Sequence, residues 1–198
     1  IALPPDRDIL HTIPQEFIVD TLEKIDNPIG LTGKRLEGHV HLVTASTTAM
    51  KNLIESAEEL GININGLVFK PLASAMPALT KDEIKLGVSI IDIGSTTTSI
   101  AVYNEGSIRH SAVIPIGSSS ITNDIAVMLR ISIEKAEEIK IKYASAKSSL
   151  SSEKLEFEVP LNEESQMISE NELSQYVEAR MEEIFQLAHN EIKRAGID

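Results

Sequence analysis

The spacing of hydrophobic residues divides the first 80 positions of the chain into short strands and helices. Three stretches have the composition of strands, and in residues 36–45 apolar and polar residues alternate, which is typical of a half-buried strand. After Ser46 the apolar residues recur at helical spacing instead, and Gly61 follows where this helix is expected to end. The predicted elements are strands over residues 9–20, 36–45 and 62–69 and helices over residues 47–60 and 72–79. This order predicts a β-rich α+β unit that contains a βαβ element.

The second part of the chain opens with three strands in succession and continues mainly with helices. A polar stretch at residues 81–87 predicts a boundary before it. The apolar positions predict strands over residues 88–91, 100–103, 108–116 and 154–160, and helices over residues 121–129, 133–146 and from the cap at Ser169 to near Gly196. A hairpin is expected at residues 104–106, and Gly117 ends the third strand. The pattern is that of a mixed α/β domain.

Composition narrows the classes of function open to the chain. Its 198 residues include no cysteine, so disulfides and thiolate chemistry are excluded. A net charge of −12 argues against nucleic acid as a partner and against a polybasic membrane anchor. No apolar run is long enough to span a membrane. The chain begins with Ile1 rather than methionine, which suggests a piece of a longer protein.

The chemistry of the chain is concentrated in the turn after its fourth predicted strand, written DIGSTTTS. A carboxylate, a glycine and a run of hydroxyls at a bend between strands can form a cradle for phosphate and Mg²⁺. Backbone N–H groups and hydroxyls would donate to phosphate oxygens, and the carboxylate would hold the water shell of the metal ion. The candidate residues are Asp92, Gly94, Ser95, Thr96, Thr97 and Thr98. From these residues alone, an ordinary turn closed by an aspartate is the alternative.

Longer blocks of sequence give this turn a family context. They read ILHTIPQEFIVD, NPIGLTGKRLEGHVHLVTAS, KPLASAMPALT, DIGSTTTSIAVYNEGSIRHSAVIPIG, ITNDIA and EKAEEIKIKYASA. In these blocks and their order the chain resembles the FtsA family of actin-like bacterial cell-division proteins. The resemblance implies an actin-like ATPase domain of the ribonuclease H-like type with an inserted FtsA-type subdomain. Residues 1–80 resemble the interaction subdomain 1C, and residues 87–198 resemble subdomains 2A and 2B, one half of a nucleotide cleft.

The resemblance also implies a ligand and the residues that contact it. The ligand would be ATP or ADP with Mg²⁺, bound tightly only by the full-length protein. Residues 92–98 would form the second phosphate loop, with Asp92 beside the metal ion, and Gly117 would lie where the chain turns into the next helix. Glu137 and Lys140 would approach the ribose or the base, and a solvated helix face is the alternative for this pair.

Three substitutions distinguish the chain from the usual pattern of the family. Where relatives read DIGGGTTD, this chain has Ser95 for a glycine and Ser99 for an aspartate. Ser95 introduces a β-carbon where positive φ or a close approach to phosphate is expected. Lys70 replaces an acidic or amide position that helps to orient the attacking water in this superfamily. We therefore expect a weak ATPase at most, and the sequence assigns no catalytic residue.

As a whole, the resemblance implies a cytoplasmic cell-division adaptor at the inner face of the cell membrane at the division site. It would bind FtsZ and other division proteins and self-associate into polymers, and it would reach the membrane only through a C-terminal helix absent from these residues. FtsZ is expected on the subdomain that residues 161–198 resemble. The alternatives are a phosphotransferase or chaperone-type ATPase of the same superfold, and a pilus-assembly relative.

Overall fold

A computed structural model of the chain describes residues 3–161 and 164–196. Proximity of Cα atoms divides the chain into two compact units, Ile1–Ile90 with Ala101–Ser111 and Ile91–Ile100 with Ala112–Asp198. The elements are mixed α and β, as the sequence predicts. The assignment of residues 1–80 and 87–198 to separate subdomains stays a prediction.

An antiparallel sheet of three strands opens the first unit. Its order is β2-β1-β3, with β1 spanning Arg7–Val19, β2 Leu22–Ile25 and β3 Leu36–Ser46. The long central strand β1 replaces the one or two short strands that the sequence predicts at residues 9–20. Its pairing with β3 shifts register twice, between Ile9 and His11 and between Pro14 and Glu16. Such bulges let a strand bend without losing its partner.

Three helices follow the sheet in sequence. Helix α1 spans Thr47–Glu58 and is capped by the Ser46 hydroxyl, α2 spans Lys70–Ala78, and α3 spans Lys81–Leu86. The predicted strand at residues 62–69 is wrong, and with it the βαβ element, because this segment has no regular secondary structure. Instead the Phe69 amide donates to Nε2 of His11 at 2.9 Å. Helix α3 occupies the stretch that the sequence marks as a polar boundary.

A second sheet contains the three strands predicted in succession. Its order is β4-β5-β6, with β4 spanning Val88–Ile93, β5 Thr98–Asn104 and β6 Ser107–Ile114. The hairpin between β5 and β6 turns at Glu105 and Gly106, whose φ angles of 51° and 82° both lie in the left-handed region. Such paired positive φ values match the right-handed twist of flanking strands. In the first unit a small core forms around Ala75, Ala101, Tyr103 and Ile108.

The second unit contains three longer helices and a β-hairpin. Helix α4 spans Ser118–Leu129, α5 Ile133–Tyr143 and α6 Glu170–Arg194, while strands β7 (Glu156–Leu161) and β8 (Glu164–Ser169) pair antiparallel. Strand β8 was not predicted. The core of this unit consists of Ile121, Ile125, Ala126, Leu129, Ala136, Ile139, Phe157, Val159, Ile168, Leu173 and Val177. Within the described ranges, each helix is too short or too polar to cross a bilayer.

Candidate phosphate-binding site

Residues 92–98 form a tight turn between β4 and β5, which we call the 92–98 turn. The Gly94 amide closes it by donating to the Thr97 carbonyl at 2.9 Å. Ser95 and Thr96 are exposed at its tip, whereas Thr97 is half-buried. The turn therefore presents two hydroxyl-bearing residues to solvent just before the buried strand β5.

The first turn of α4 holds the 92–98 turn through its carbonyl groups. The Ser118 amide donates to the Gly94 carbonyl at 2.9 Å, and the Ser119 amide donates to the Ser95 carbonyl at 2.8 Å. The Ser119 hydroxyl donates to the same Ser95 carbonyl at 2.5 Å. Amides of a first helical turn have no partner inside their own helix, and here carbonyl oxygens satisfy two of them. The position of the turn is thus fixed by three hydrogen bonds to one helix end.

Gly117 permits this close approach, as the residue immediately before α4. Its φ and ψ of −162° and −163° are extended and open to any residue, so conformation is not what requires glycine. A β-carbon there would lie 2.4 Å from the Gly94 oxygen and 2.5 Å from the Ser95 oxygen. These contacts are with backbone atoms that cannot rotate away. Gly117 is required because the turn and the helix meet at this point.

Thr98 and Asp92 lie at the two strand ends that flank the turn. Thr98 is fully buried, and its hydroxyl donates to the Ile116 carbonyl at 2.8 Å. In this conformation Thr98 supports the turn and does not present its hydroxyl to a ligand. Asp92 is half-buried near the end of β4. Ser99, the second substitution in the motif, is buried in β5.

The expectation that Ser95 needs positive φ is wrong. Among the described residues, the non-glycine positions with positive φ are Asp20, Lys24, Glu105 and Arg130. Ser95 is not among them, so the turn accepts its β-carbon without strain in the backbone. The substitution of serine for glycine adds an exposed hydroxyl at the tip.

Glu137 and Lys140 lie on α5 and face the first turns of α4. The Thr122 hydroxyl donates to Oε2 of Glu137 at 2.5 Å, and Lys140 Nζ contacts the same Oε2 at 2.6 Å. Lys140 also donates to the Thr122 hydroxyl at 2.9 Å and to the Ser118 carbonyl at 3.4 Å. The hydrogen bond from Lys140, and after it that from Thr122, lowers the pKa of Glu137. The pair is therefore bonded to α4 and does not form a freely solvated face.

Two residues of this arrangement, Ser119 and Thr122, are absent from the sequence-based predictions. Each hydroxyl has a partner at least 15 positions away along the chain. The sequence offers one weak signal, the run of serines at residues 118–120 just before the predicted helix at residues 121–129. The structure instead makes these serines the first turn of α4.

Asp92 provides the hard oxygen ligand that Mg²⁺ prefers, as a single carboxylate. Magnesium usually keeps several water ligands and takes one or two carboxylates together with phosphate oxygens. In the described residues, no group of three or more His, Cys, Asp or Glu side chains could hold a metal ion. The donor set fits an ion that arrives with phosphate and keeps its waters, rather than one held by the protein alone.

A groove with a cavity of about 370 Å³ runs between α4 and α6, and we call it the α4–α6 groove. Arg180 makes a two-pronged ion pair with Asp124, at 2.6 Å and 2.8 Å, and also pairs with Glu183. Val127 and Met128 remain 74% and 55% exposed. Apolar side chains beside a fixed arginine are typical of a surface that binds another protein. The lining residues are Asn123, Asp124, Val127, Met128, Tyr176, Ala179, Arg180 and Glu183.

Comparison with known sequences places this chain in a family. The family model described as cell division protein FtsA matches residues 89–196, and the one described as SHS2 domain inserted in FTSA matches residues 1–44. The cell division protein FtsA of Pseudomonas aeruginosa is 40% identical over 200 residues, covering 100% of this chain and 48% of the relative. FtsA of Bacillus subtilis is 38% identical, covering 100% of this chain and 45% of the relative. The chain thus spans about half the length of the curated relatives it matches.

Solved structures agree on the fold. MreB5 of Spiroplasma citri bound to AMPPNP superposes with a TM-score of 0.60 at 21% identity, covering 75% of this chain and 48% of that chain. The PilM–PilN type IV pilus biogenesis complex superposes with a TM-score of 0.62 at 17% identity, covering 94% of this chain and 44% of that chain. These likenesses confirm the predicted actin-like fold class. Together with the family models and the relatives, they lead to one conclusion: the chain belongs to the FtsA family of cell division proteins.

Proposed function

We propose that this chain is part of an actin-like division adaptor that binds ATP in its full-length form. The observation that carries the proposal is the 92–98 turn, held by three hydrogen bonds to the start of α4. The match to the FtsA family favours this adaptor over the phosphotransferase, chaperone-type ATPase and pilus-assembly alternatives. MreB5 of Spiroplasma citri has been solved with AMPPNP and with ADP, and the shared fold supports nucleotide as the ligand.

In this proposal the residues of the turn have different tasks. Exposed Ser95 and Thr96, with half-buried Thr97, donate to phosphate oxygens, and the Gly94 amide keeps the turn closed through its bond to the Thr97 carbonyl. Asp92 orders the waters of a bound Mg²⁺, whose charge neutralises the phosphates. Thr98 keeps the turn in place by its bond to the Ile116 carbonyl. Gly117 lets the turn approach α4 closely.

Nucleotide serves here as a conformational ligand more than as a fuel. A lysine at position 70 cannot accept a proton from water in its charged form. We therefore expect phosphate release by the full-length protein to be slower than about 1 s⁻¹, the lower end of the usual enzyme range. Faster turnover with Mg²⁺-ATP contradicts the adaptor function and favours an enzyme.

Calorimetry of Mg²⁺-ATP binding to the full-length protein tests the ligand. Asp92→Asn keeps the size of the side chain and removes its charge, so we expect affinity for Mg²⁺-ATP to fall about tenfold. Asp82→Asn, in the exposed first turn of α3, is the matched control and should bind like the wild type. Equal affinity of the Asp92→Asn variant and the wild type contradicts the role of Asp92.

The α4–α6 groove is the proposed docking site for FtsZ. It combines exposed apolar residues with a fixed arginine, and α6 lies within residues 161–198, the part for which the resemblance implies FtsZ binding. Deleting residues 161–198 would not test this, because α6 contributes the buried side chains Leu173, Val177 and Ile184 to the unit. Met128→Lys changes the groove surface while the core stays intact. We expect it to weaken FtsZ pull-down by the full-length protein about tenfold.

Ile141→Lys is the matched control for the groove. Ile141 is 75% exposed on α5 and does not line the groove. Ile141→Lys therefore adds the same positive charge as Met128→Lys, at a surface position outside the groove. If both variants retain FtsZ equally, the groove is not the docking site. In the same proposal the full-length protein acts at the inner face of the cell membrane at the division site. There it links to the membrane, to other division proteins and to copies of itself.

A further inference from the structure

Thr122 occupies the junction between the two helices that flank the proposed nucleotide site. It is buried in α4, and its hydroxyl has two charged partners: it donates to Glu137 at 2.5 Å and accepts from Lys140 at 2.9 Å, while the Ser118 carbonyl lies at 3.3 Å as a more distant acceptor. A hydroxyl has one proton to donate, and here the carboxylate receives it. Thr122 thereby fixes both charged side chains of α5 at once.

The same stretch of α4 also holds the 92–98 turn. Ser118 is shared, because its amide donates to the Gly94 carbonyl and its carbonyl accepts from Lys140. Ser119 adds two bonds to the Ser95 carbonyl. The first residues of α4, Ser118 to Thr122, therefore connect the 92–98 turn on one side to the Glu137–Lys140 pair on the other.

Exposure shows which side of the pair can reach a ligand. The Glu137 side chain is 44% exposed, whereas that of Lys140 is only 15% exposed. The carboxylate can accept a hydroxyl from a bound sugar on its open side while Thr122 and Lys140 hold its other side. Without the Thr122 hydroxyl, the Glu137 carboxylate loses a hydrogen-bond donor, and the partly buried Lys140 ammonium loses an acceptor. Both side chains then have room to reorient.

We propose that Thr122 is a positioning residue that orients Glu137 for a ribose hydroxyl and connects sugar recognition to the 92–98 turn through the first turns of α4. This inference rests on the proposed nucleotide site. A purely structural role would affect the binding of all nucleotides alike. A positioning role changes the preference for ATP over its 3′-deoxy and 2′-deoxy analogues.

Calorimetry of the full-length protein with Mg²⁺-ATP and the two deoxy analogues measures this preference. We expect Thr122→Val to reduce the larger of the two preferences about fivefold, and Thr122→Ser, which keeps the hydroxyl, to restore most of it. Lys140→Met breaks the same link from α5 and should give a similar loss. Lys135→Met is the matched control, since Lys135 pairs with Glu138 at 2.9 Å by the same spacing on an exposed part of α5.

The connection to the turn is tested with Ser119→Ala. The double variant Thr122→Val/Ser119→Ala is compared with the two single variants. If the 92–98 turn and the Glu137–Lys140 pair are linked, the fold-loss of ATP affinity in the double variant differs by about threefold from the product of the two single fold-losses. Wild-type binding with unchanged sugar preference in both Thr122→Val and Lys140→Met overturns this inference alone. A wild type that binds no ATP overturns it together with the proposed function.

Discussion

The two units differ in where their hydrophobic residues lie. In the first unit, helix α1 has no buried residue, and Leu53 on it is 61% exposed. In the second unit, helix α6 buries Leu173, Val177 and Ile184 along one side. A unit with a large core can hold a ligand in fixed geometry, whereas exposed apolar side chains suit association with other surfaces. The candidate phosphate site lies in the second unit, which has the larger core.

Core truncation should separate the two units most clearly. Ile184 is fully buried, so Ile184→Ala leaves a cavity and should lower the free energy of unfolding by about 3 kcal/mol. Leu53→Ala removes an exposed side chain and should change it by less than about 0.5 kcal/mol. Urea unfolding followed by circular dichroism measures both. Equal losses would show that α1 is packed as tightly as α6.

Ion pairs should show the same contrast at a smaller scale. Arg180 and Asp124 form two short bonds with side chains only 27% and 32% exposed. We expect Arg180→Met to lower the free energy of unfolding by about 1–2 kcal/mol. The variant loses both hydrogen bonds of a charged pair and leaves the partly buried Asp124 carboxylate without the guanidinium. The Lys24–Glu105 pair of the first unit is 69% and 51% exposed, so Lys24→Met should be indistinguishable from the wild type in the same urea measurement. A larger loss from Lys24→Met than from Arg180→Met would reverse the comparison.

Acid should weaken a smaller contact in the second unit. The Ser148 hydroxyl and amide both donate to Glu178, at 2.5 Å and 3.0 Å, and these bonds lower the pKa of Glu178 from its ordinary value of 4.5. A carboxyl whose pKa is lowered by folding stabilises the protein at neutral pH and loses this contribution as the pH falls through its folded pKa. Glu178→Gln should therefore reduce the difference in thermal midpoint between about pH 7 and about pH 3.

Glu182→Gln is the control for this acid effect, as an exposed carboxyl on the same helix. An equal reduction in both variants would mean that the bonds to Ser148 have no part in it.

The sequence predicted the local elements of the fold well where the signal was local. Ser169 caps α6 by accepting from the amide three residues later, as the sequence predicts, and Ser46 and Ser132 cap α1 and α5 in the same way. The capping box of Thr80 and Glu83 is an equally readable signal for α3 in the stretch where the polar residues predict only a boundary.

Errors arose where the outcome depends on distant partners. The segment at residues 62–69 has the alternation of a strand, yet a strand also needs a neighbour to pair with, and its last amide bonds to His11 instead. Strand β8 shows the reverse, since its polar residues form a strand because β7 is beside it. The spacing of apolar residues indicates which side chains are buried, but it does not show whether a neighbouring strand is present to pair with the backbone.

The candidate site was predictable to the same extent. The turn and its flanking strands followed from the motif, and Gly117 followed from the end of the third strand. The contacts of Ser119 and Thr122 could not be predicted, because they depend on how α4 packs against the turn and against α5. The sequence thus located the turn, whose ligand contacts stay a prediction, and the structure shows the side chains that hold it in place.

The most direct test of the central claim is Mg²⁺-ATP binding by full-length Gly117→Ala and Gly66→Ala, measured by calorimetry against the wild type. A β-carbon at Gly117 would meet the Gly94 and Ser95 carbonyl oxygens at 2.4 Å and 2.5 Å and displace the 92–98 turn, whereas one at Gly66 would meet open space. If the turn holds phosphate, Gly117→Ala should bind Mg²⁺-ATP at least about tenfold more weakly, with Gly66→Ala unchanged. Wild-type affinity in a folded Gly117→Ala variant would contradict the account.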